Sequence, residues 1–183
     1  MVQEPRTAVN TDEELMTAFA GGDREAFSLL VTRYQSATWR VAWRFTSNTE
    51  DARDICQTVF LKLYESAPRY KISAAFKTYL FRITNNACID HYRKKRPETG
   101  KNSVEATDTS PLPDERLEER DRDRKLHSAI AQLPERQRRA VVLRYEADLP
   151  VKEIAAAMGI TQKAVERLLA HARESLRDTA MKE

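Results

Sequence analysis

The sequence is poor in glycine and cysteine, and it lacks a long apolar run. Its 4 glycines among 183 residues are too few for strands joined by tight turns, which excludes a fold built from β-hairpins. Its 2 cysteines, Cys56 and Cys88, have neither the spacing of a metal site nor the number for a disulfide framework, so we expect reduced thiols. No apolar stretch is long enough to cross a membrane, and residues 1–20 lack the pattern of a secretory signal. We therefore expect a cytoplasmic protein without membrane insertion.

The stretches between the prolines and glycines have the hydrophobic period of an α-helix. Proline and glycine leave long uninterrupted stretches such as 23–67 and 160–183. Within them, apolar residues recur every three or four positions, a spacing that puts them on one face of a helix. One such stripe consists of Phe27, Leu30, Val31 and Tyr34, which Val41 and Phe45 extend. The pattern predicts an all-α protein.

Residue types that favour helix N-termini divide this pattern into eight predicted helices. Thr11 and Glu14 have the spacing of a capping box. The other candidate N-caps are Asp23, Asn48 or Thr49, Ser73 and Thr161. The predicted helices span residues 12–20, 24–46, 50–66, 74–95, 118–132, 135–146, 151–158 and 162–178.

One segment, 97–117, breaks the helical pattern. It contains three prolines, one glycine and few bulky apolar residues, so it cannot bury enough surface to fold by itself. We therefore predict a flexible, acidic linker that joins two small helical domains, residues 1–96 and 118–183.

Positive charge is concentrated in one part of the chain. The formal net charge is +3, but residues 67–97 alone hold eight basic residues and one acidic residue. The helix predicted there also carries aromatic rings, at Phe76, Tyr79, Phe81 and Tyr92. Cations that neutralise phosphates, together with rings that stack on bases, are typical of nucleic-acid binding. The alternative is a solvated helix end whose cations complement the helix dipole.

Residues 151–170 have the layout of a helix-turn-helix. A short helix ends at Gly159, which tolerates the positive φ of a tight turn, and a second begins after Thr161. Ile154 and Val165 are apolar where the two helices would pack. In a DNA-binding helix-turn-helix the second helix enters the major groove. The alternative is an ordinary corner between two helices.

Three stretches, in this order, make the sequence resemble the extracytoplasmic-function (ECF) sigma factors of bacterial RNA polymerase, which form group 4 of the sigma-70 family. The first, at 50–65, reads EDARDICQTVFLKLYE. The second, at 76–96, reads FKTYLFRITNNACIDHYRKKR and is similar to the family's promoter-melting and −10-recognition helix. The third, at 133–176, contains the helix-turn-helix and is similar to its −35-recognition domain. The resemblance implies a region 2-like domain at 1–96 and a region 4-like domain at 118–183.

In this family the first stretch docks on core RNA polymerase. The predicted polymerase contacts that match the family's pattern there are Asp51, Asp54, Gln57 and Phe60. Leu61 is added because it falls on the same side of the helix as Asp54 and Gln57. The alternative is a solvated helix face.

The second stretch, with the loop before it, matches the part of the family that recognises the −10 element as unwound single strand. Rings stack on bases, amides meet base edges and cations hold phosphates. A family loop that captures a flipped base corresponds to Tyr70 and Lys71. The implied −10 contacts are Tyr70, Lys71, Tyr79, Arg82, Asn85, Asn86, Arg93, Lys94 and Arg96, with both asparagines facing bases. Tyr79 stands where the family usually has tryptophan.

The helix-turn-helix departs from the family at two positions. The implied −35 contacts are Lys152, Thr161, Gln162, Lys163, Glu166, Arg167, Ala170 and Arg173. A usual lysine is replaced by Glu166, and a usual arginine by Leu168. Because a carboxylate can accept a hydrogen bond from the amine of cytosine, we expect an unusual −35 sequence or a weak contact at Glu166.

The resemblance implies an alternative sigma factor, with neither catalytic chemistry nor a cofactor of its own. Its implied partners are core RNA polymerase, promoter DNA and an anti-sigma factor. The two DNA-binding parts each bind weakly and are joined by a flexible tether, so we expect the free protein to bind promoters poorly. Polymerase would hold the two parts at a fixed spacing and so raise the effective concentration of each at its DNA element. One alternative is a stand-alone helix-turn-helix regulator that binds duplex DNA as a dimer. The other is an enzyme, which the scattered histidines His91, His127 and His171 do not favour.

Overall fold

The computed structural model describes residues 11–70, 75–95 and 117–181, and over these ranges the chain consists of helices and short connections. The helices are α1 (Asp12–Ala20), α2 (Arg24–Thr46), α3 (Thr49–Ser66), α4 (Phe76–Lys95), α5 (Leu117–Gln132), α6 (Glu135–Tyr145), α7 (Val151–Met158) and α8 (Gln162–Ala180). The predicted all-α class is confirmed, and each helix begins and ends within two residues of its predicted bounds. None of the helices in the described ranges combines the length and the apolar character needed to span a membrane.

Local hydrogen bonds explain where the helices begin. The Glu14 amide donates to the Thr11 hydroxyl over 3.2 Å, and the Thr11 amide donates to the Glu14 carboxylate over 2.8 Å, so the capping box is complete. The other side-chain caps are Asp23 on α2, Asn48 on α3 and Thr161 on α8. Thr49 is the first residue of α3 rather than its cap. The predicted cap Ser73 lies outside the described residues.

Helices α1 to α4, here called the N-terminal unit, enclose an apolar core. Helix α2 packs against α1, α3 and α4. All four helices contribute fully buried side chains, among them Met16, Leu30, Ile55, Leu63, Phe76 and Phe81. Burying a large apolar side chain contributes about 1.5–3 kcal/mol, so this core fixes the positions of α3 and α4 relative to each other.

A single 3₁₀ turn at Ala67–Arg69 follows α3 and redirects the chain toward α4. Pro68 suits the start of this turn because its ring presets φ and it has no amide hydrogen that would need a partner. Tyr70, which ends the turn, is thereby set beside α4.

Helices α5 to α8 with their connections, here called the C-terminal unit, contribute buried residues such as Leu143, Leu149, Ile154 and Val165. Between α7 and α8, Gly159 has a φ of 66°, a left-handed conformation that glycine adopts without strain. Helix α6 packs against both α7 and α8. The predicted helix-turn-helix is therefore present, supported by α6.

The two units pack against each other, which the sequence does not predict. Helix α4 lies against α7, while α2 lies against α5 and α6. The buried apolar residues of both units belong to one cluster. Of the predicted linker 97–117, all but its last residue lies outside the described residues, and the division into domains 1–96 and 118–183 stays a prediction.

Candidate nucleic-acid interface

Two rings and one cation meet beside the N-terminal half of α4. The rings of Tyr70 and Tyr79 lie edge to face with their centroids 5.4 Å apart. The guanidinium of Arg82 lies 5.4 Å from the centroid of the Tyr79 ring. Both tyrosines are partly exposed and Arg82 is exposed. These three residues, here called the aromatic cluster, offer a stacking surface beside a positive charge.

The hydroxyl of Tyr70 is held neutral inside this cluster. Burial raises its pKa above the ordinary value for tyrosine, and the nearby carboxylate of Glu13 raises it further. Among the described residues the hydroxyl has no hydrogen-bond partner. The hydroxyl oxygen itself is buried, so the cluster presents its rings and not this hydroxyl to solvent.

The remainder of α4 presents further predicted −10 contacts. Asn86, Arg93 and Lys94 are exposed, as contacts with bases and phosphates require. The predicted contacts Lys71 and Arg96 lie outside the described residues.

Asn85 is buried, and only 3% of its surface is exposed. Its Oδ1 accepts a hydrogen bond from Nε of Arg139 over 2.9 Å, and its Nδ2 donates to the carbonyl of Ala157 over 3.4 Å. Successive residues of an α-helix point about 100° apart, so Asn85 and Asn86 do not share a face. In this conformation Asn86 is exposed and Asn85 is not, because the C-terminal unit covers the side of α4 on which Asn85 lies. Contact of Asn85 with a base stays a prediction.

The predicted polymerase contacts form a band across the outer side of α3. Asp54, Gln57 and Leu61 are exposed, and 58% of the surface of Leu61 faces solvent. Phe60 is partly buried on the side toward α2. Asp51 lies on the side toward α4, where its Oδ1 is 3.3 Å from Nε2 of His91.

A groove of about 490 Å³ runs between α2 and α3. Its walls include Val31 and Trp39 of α2 and Gln57 and Phe60 of α3. Burial raises the pKa of the Cys56 thiol, which also lines the groove, to about 12, so this cysteine is not a reactive thiolate. A concave, mainly apolar surface with a few polar groups is suited to receive side chains of another protein.

A second cavity, of about 350 Å³, lies between α3 and α4. Its lining mixes carboxylates with cations, and it brings Asp54, a predicted polymerase contact, close to Arg93, a predicted DNA contact. Within the part of the chain that the structure describes, no three His, Cys, Asp or Glu side chains are grouped so that they could hold a metal ion.

The outer face of the helix-turn-helix is open to solvent. The predicted −35 contacts Lys152, Thr161, Gln162, Lys163, Glu166, Arg167, Ala170 and Arg173 are all exposed. On the opposite face of α8, Val165, Leu169 and Ala172 are buried. Leu168 is partly buried and packs against the core, so it does not belong to the exposed face. Helix α8 is thus anchored on one side and free to enter a groove on the other.

A buried ion-pair cluster joins the two units, and sequence analysis missed it. Arg44 of α2 is 7% exposed. Its Nε donates to Oε1 of Glu146 over 2.8 Å, and its terminal nitrogen pairs with Asp123. Arg44 directly precedes Phe45 of the apolar stripe on α2, which signals that this cation is close to buried positions but does not identify its partners.

His127 of α5 is stacked on Trp43 of α2, with ring centroids 3.9 Å apart. Its Nε2 lies 3.0 Å from the hydroxyl of Ser47. Burial, helped by the positive charge of Arg44, lowers the pKa of His127 to about 4. The contact is therefore made by a neutral imidazole at physiological pH.

Two family models match the chain. The model described as Sigma-70 region 2 matches residues 30–98, which include α3 and α4. The model described as Sigma-70, region 4 matches residues 123–176, which include the helix-turn-helix. The matches therefore cover the residues of both candidate DNA-binding surfaces.

Known proteins that are similar over nearly the whole length of the chain support the same family. The ECF RNA polymerase sigma factor SigM of Mycobacterium tuberculosis is 34% identical over 173 residues, which cover 91% of this chain and 83% of SigM. The ECF RNA polymerase sigma factor SigW of Bacillus subtilis is 28% identical over 167 residues, which cover 85% of this chain and 89% of SigW. The solved structure of CnrH in complex with the cytosolic domain of CnrY is similar with a TM-score of 0.75 and 25% identity, and the match covers 95% of this chain and 99% of that one.

Proposed function

The chain belongs to the ECF sigma factors of RNA polymerase, and we propose how its surfaces divide the work of an alternative sigma factor, which directs core polymerase to specific promoters. The outer side of α3 and the groove between α2 and α3 bind core polymerase. The aromatic cluster and the exposed residues of α4 recognise the −10 element as single strand. The outer face of α8 recognises the −35 element as duplex. The protein acts in the cytoplasm and contributes binding rather than catalysis.

The aromatic cluster is the observation that supports the −10 assignment most strongly. Stacking of one base on an aromatic side chain contributes about 1–3 kcal/mol, which offsets much of the cost of taking that base out of the duplex. The ring of Tyr79 supplies the stacking surface, and the ring of Tyr70 supports it edge to face. Arg82 supplies a charge for the adjacent phosphate.

The shape of the groove supports polymerase docking. Phe60 and Trp39 give it apolar walls, while Gln57 and Arg53 add polar groups at its edge. Leu61 is exposed nearby on α3, where a protein partner would remove it from water.

The −35 assignment is supported by the division of α8 into an anchored face and an open face. Lys163 and Arg167 are exposed where they would meet phosphates or guanine edges. Glu166 lies between them in sequence and is also exposed, so it accepts a hydrogen bond from a cytosine amine at this position.

An anti-sigma factor regulates the protein by covering the polymerase-binding surface. CnrH, whose fold is similar, was solved in complex with the cytosolic domain of CnrY. The groove between α2 and α3, about 490 Å³ in volume, gives such a partner an apolar surface to occupy.

In vitro transcription with core polymerase and genomic fragments tests the −10 assignment. Tyr79→Ala is compared with Tyr145→Ala, whose ring is 63% exposed and lies outside every proposed surface. Since one stacking contact is removed, Tyr79→Ala should reduce open-complex formation by about 5- to 150-fold, measured as permanganate reactivity of the −10 thymines. Its affinity for core polymerase should not change. If Tyr79→Ala opens promoters as wild type does, the −10 assignment fails while family membership stands.

A further inference from the structure

The first turn of α4 is closed by a side chain of α1. The first amides of an α-helix have no acceptor within the helix, and the side chain of the residue just before it usually supplies one. Before α4 that residue is Ala75, whose methyl group cannot accept a hydrogen bond. The amide of Phe76 donates instead to Oε1 of Glu13 over 2.7 Å, 63 positions away in the sequence. A carboxylate is favoured at this place because the N-terminus of a helix is positive.

Helix α1 also supports the second tyrosine of the aromatic cluster. It packs against the 3₁₀ turn Ala67–Arg69, and Tyr70 ends that turn. Burial raises the pKa of the Tyr70 hydroxyl and the charge of Glu13 raises it further, so this carboxylate lies close to Tyr70. One side chain therefore lies beside Tyr70 and holds the helix that carries Tyr79 and Arg82.

The residue before Glu13 fastens α1 to α2. The carboxylate of Asp12 pairs with Arg33 and accepts a hydrogen bond from the hydroxyl of Tyr34. The ring of Tyr34 in turn lies 5.5 Å from the ring of Phe76, measured between centroids, and Phe76 is fully buried. The amide that Glu13 accepts thus belongs to a residue whose side chain is also fixed. The cap acts from a rigid support, and so it sets the direction in which α4 begins.

Tyr79 lies in the turn that this cap closes. It is the fourth residue of α4, and its amide donates to the carbonyl of Ala75 over 3.1 Å. Its ring meets Tyr70 edge to face with centroids 5.4 Å apart, and the guanidinium of Arg82 lies 5.4 Å from its centroid. Tyr70 and Tyr79 belong to different elements, so their arrangement depends on a support that both elements share. A binding site keeps its geometry only when the residues that form it are held by such supports.

We propose that Glu13 is a positioning residue for −10 recognition: by closing the first turn of α4 from α1, it keeps Tyr79 and Arg82 in place beside Tyr70. The inference rests on the proposed role of the aromatic cluster in −10 recognition. It adds that promoter opening requires a carboxylate of α1 that itself touches no base.

Two conservative substitutions separate the reach of the Glu13 side chain from its charge. Glu13→Gln keeps an oxygen at the same distance from the backbone but carries no charge, whereas Glu13→Asp keeps the charge on a shorter side chain. The readout is open-complex formation by the holoenzyme, measured as permanganate reactivity of the −10 thymines. Since one hydrogen bond to a charged acceptor is lost, Glu13→Asp should lower it about tenfold. Glu13→Gln keeps a weaker bond and should stay within about threefold of wild type.

Glu14→Ala is the matched control for the stability of α1. Glu14 is exposed, and its carboxylate accepts from the amide of Thr11 within the capping box of α1. This substitution weakens α1 without removing the cap of α4, so open-complex formation should equal that of wild type. Affinity for core polymerase should be the same in all these chains. An equal loss of opening in Glu14→Ala and Glu13→Asp would overturn the proposal, because the effect would then come from the stability of α1.

A double-mutant cycle tests whether Glu13 acts through Tyr79. If the cap serves to place this ring, it has little left to place in a Tyr79→Ala chain. Adding Glu13→Asp to Tyr79→Ala should therefore lower opening by less than about threefold more. A further loss as large as that in the wild-type background would show that Glu13 acts elsewhere, and it would overturn the proposal. General destabilisation by Glu13→Asp would give that additive result.

Glu13→Ala removes the acceptor altogether and covers the case in which the shorter side chain of Glu13→Asp still reaches Phe76. If both variants open promoters as wild type does while Tyr79→Ala does not, this inference fails and the −10 assignment stands. If Tyr79→Ala also opens promoters as wild type does, the −10 assignment fails and the inference falls with it.

Discussion

Arg44 and Glu146 lie 102 residues apart in the sequence and form an ion pair in which Nε of Arg44 donates to Oε1 of Glu146 over 2.8 Å. The side chains are only 9% and 17% exposed. Arg44 also pairs with Asp123, so one buried cation of α2 holds two carboxylates of the C-terminal unit. A buried charge that loses its partner is costly, which makes this pair a sensitive measure of how firmly the two units are joined.

Removing Glu146 should destabilise the protein measurably. Glu146→Ala leaves Arg44 with Asp123 alone, and we expect the free energy of unfolding to fall by about 1–3 kcal/mol in urea denaturation. Glu174→Ala, at a carboxylate that is 66% exposed, is the control, with an expected change within about 0.5 kcal/mol. In a double-mutant cycle with Arg44→Leu, the losses should not add. Additive losses would contradict a direct energetic link between the two side chains.

Acid should weaken the contact between His127 and Trp43. In the folded protein the pKa of His127 falls from 6.5 to about 4, so the folded state binds this proton less readily than the unfolded state. The stability that neutral His127 contributes is therefore fully present above about pH 6.5 and is lost as the pH falls toward 4. The charged groups that face it are Arg44 and Arg138, which lower its pKa, and Asp123, which raises it.

The pH dependence is checked by denaturation at several pH values between 7 and 5. His127→Phe keeps a ring against Trp43 but cannot take a proton, so its stability should fall less steeply with acid than that of wild type. His171→Phe, at a histidine whose side chain is 65% exposed, should keep the wild-type slope. Parallel curves for wild type and His127→Phe would rule out this histidine as the source of acid sensitivity.

Two exposed leucines offer a matched test of the polymerase-binding surface. Leu61 on α3 is 58% exposed and Leu126 on α5 is 49% exposed, so neither substitution to alanine should disturb folding. Leu61→Ala removes a side chain that the partner would bury, and we expect affinity for core polymerase to fall about 5- to 30-fold. Leu126→Ala should bind as wild type does. Equal binding of both variants, measured by fluorescence titration of core polymerase, would exclude Leu61 from the interface.

Two arginines of α8 separate a specific contact with DNA from a nonspecific effect of the positive charge of the helix. Arg167 lies on the proposed −35 face, while Arg177 lies in the last turn of the same helix, and both are exposed. If Arg167 contacts a phosphate, Arg167→Ala should lower promoter binding by the holoenzyme and reduce the slope of log affinity against log salt by about one. Arg177→Ala should leave the slope unchanged. The same slope in all three proteins would remove Arg167 from the DNA contacts.

Helix positions and the open face of α8 could be predicted because they depend on neighbours in the sequence. The cap between Thr11 and Glu14 spans three residues, and Val165 and Leu169 fall on one face because a helix repeats every 3.6 residues. The predicted polymerase contacts fell into a band for the same reason, with Leu61 outward and Phe60 toward α2. Local signals of this kind do not depend on what packs against the helix.

Asn85 could not be placed in the same way. Both sides of α4 carry polar residues, so the sequence gives no sign of which side another helix covers. The answer depends on Ala157, 72 residues away, and on Arg139, 54 residues away. The missed role of Arg44 has the same origin, since a single arginine beside an apolar stripe does not reveal its carboxylate partners.

By itself the sequence determined eight helices, the helix-turn-helix and the family resemblance, because caps, breakers and apolar periodicity act over a few residues. Only the tertiary structure decided that the two units close on each other and that Asn85 lies beneath α7 while the face of α8 stays open. The physical reason is that such contacts join residues whose distance along the chain carries no local signal, and their geometry is set by how whole helices pack.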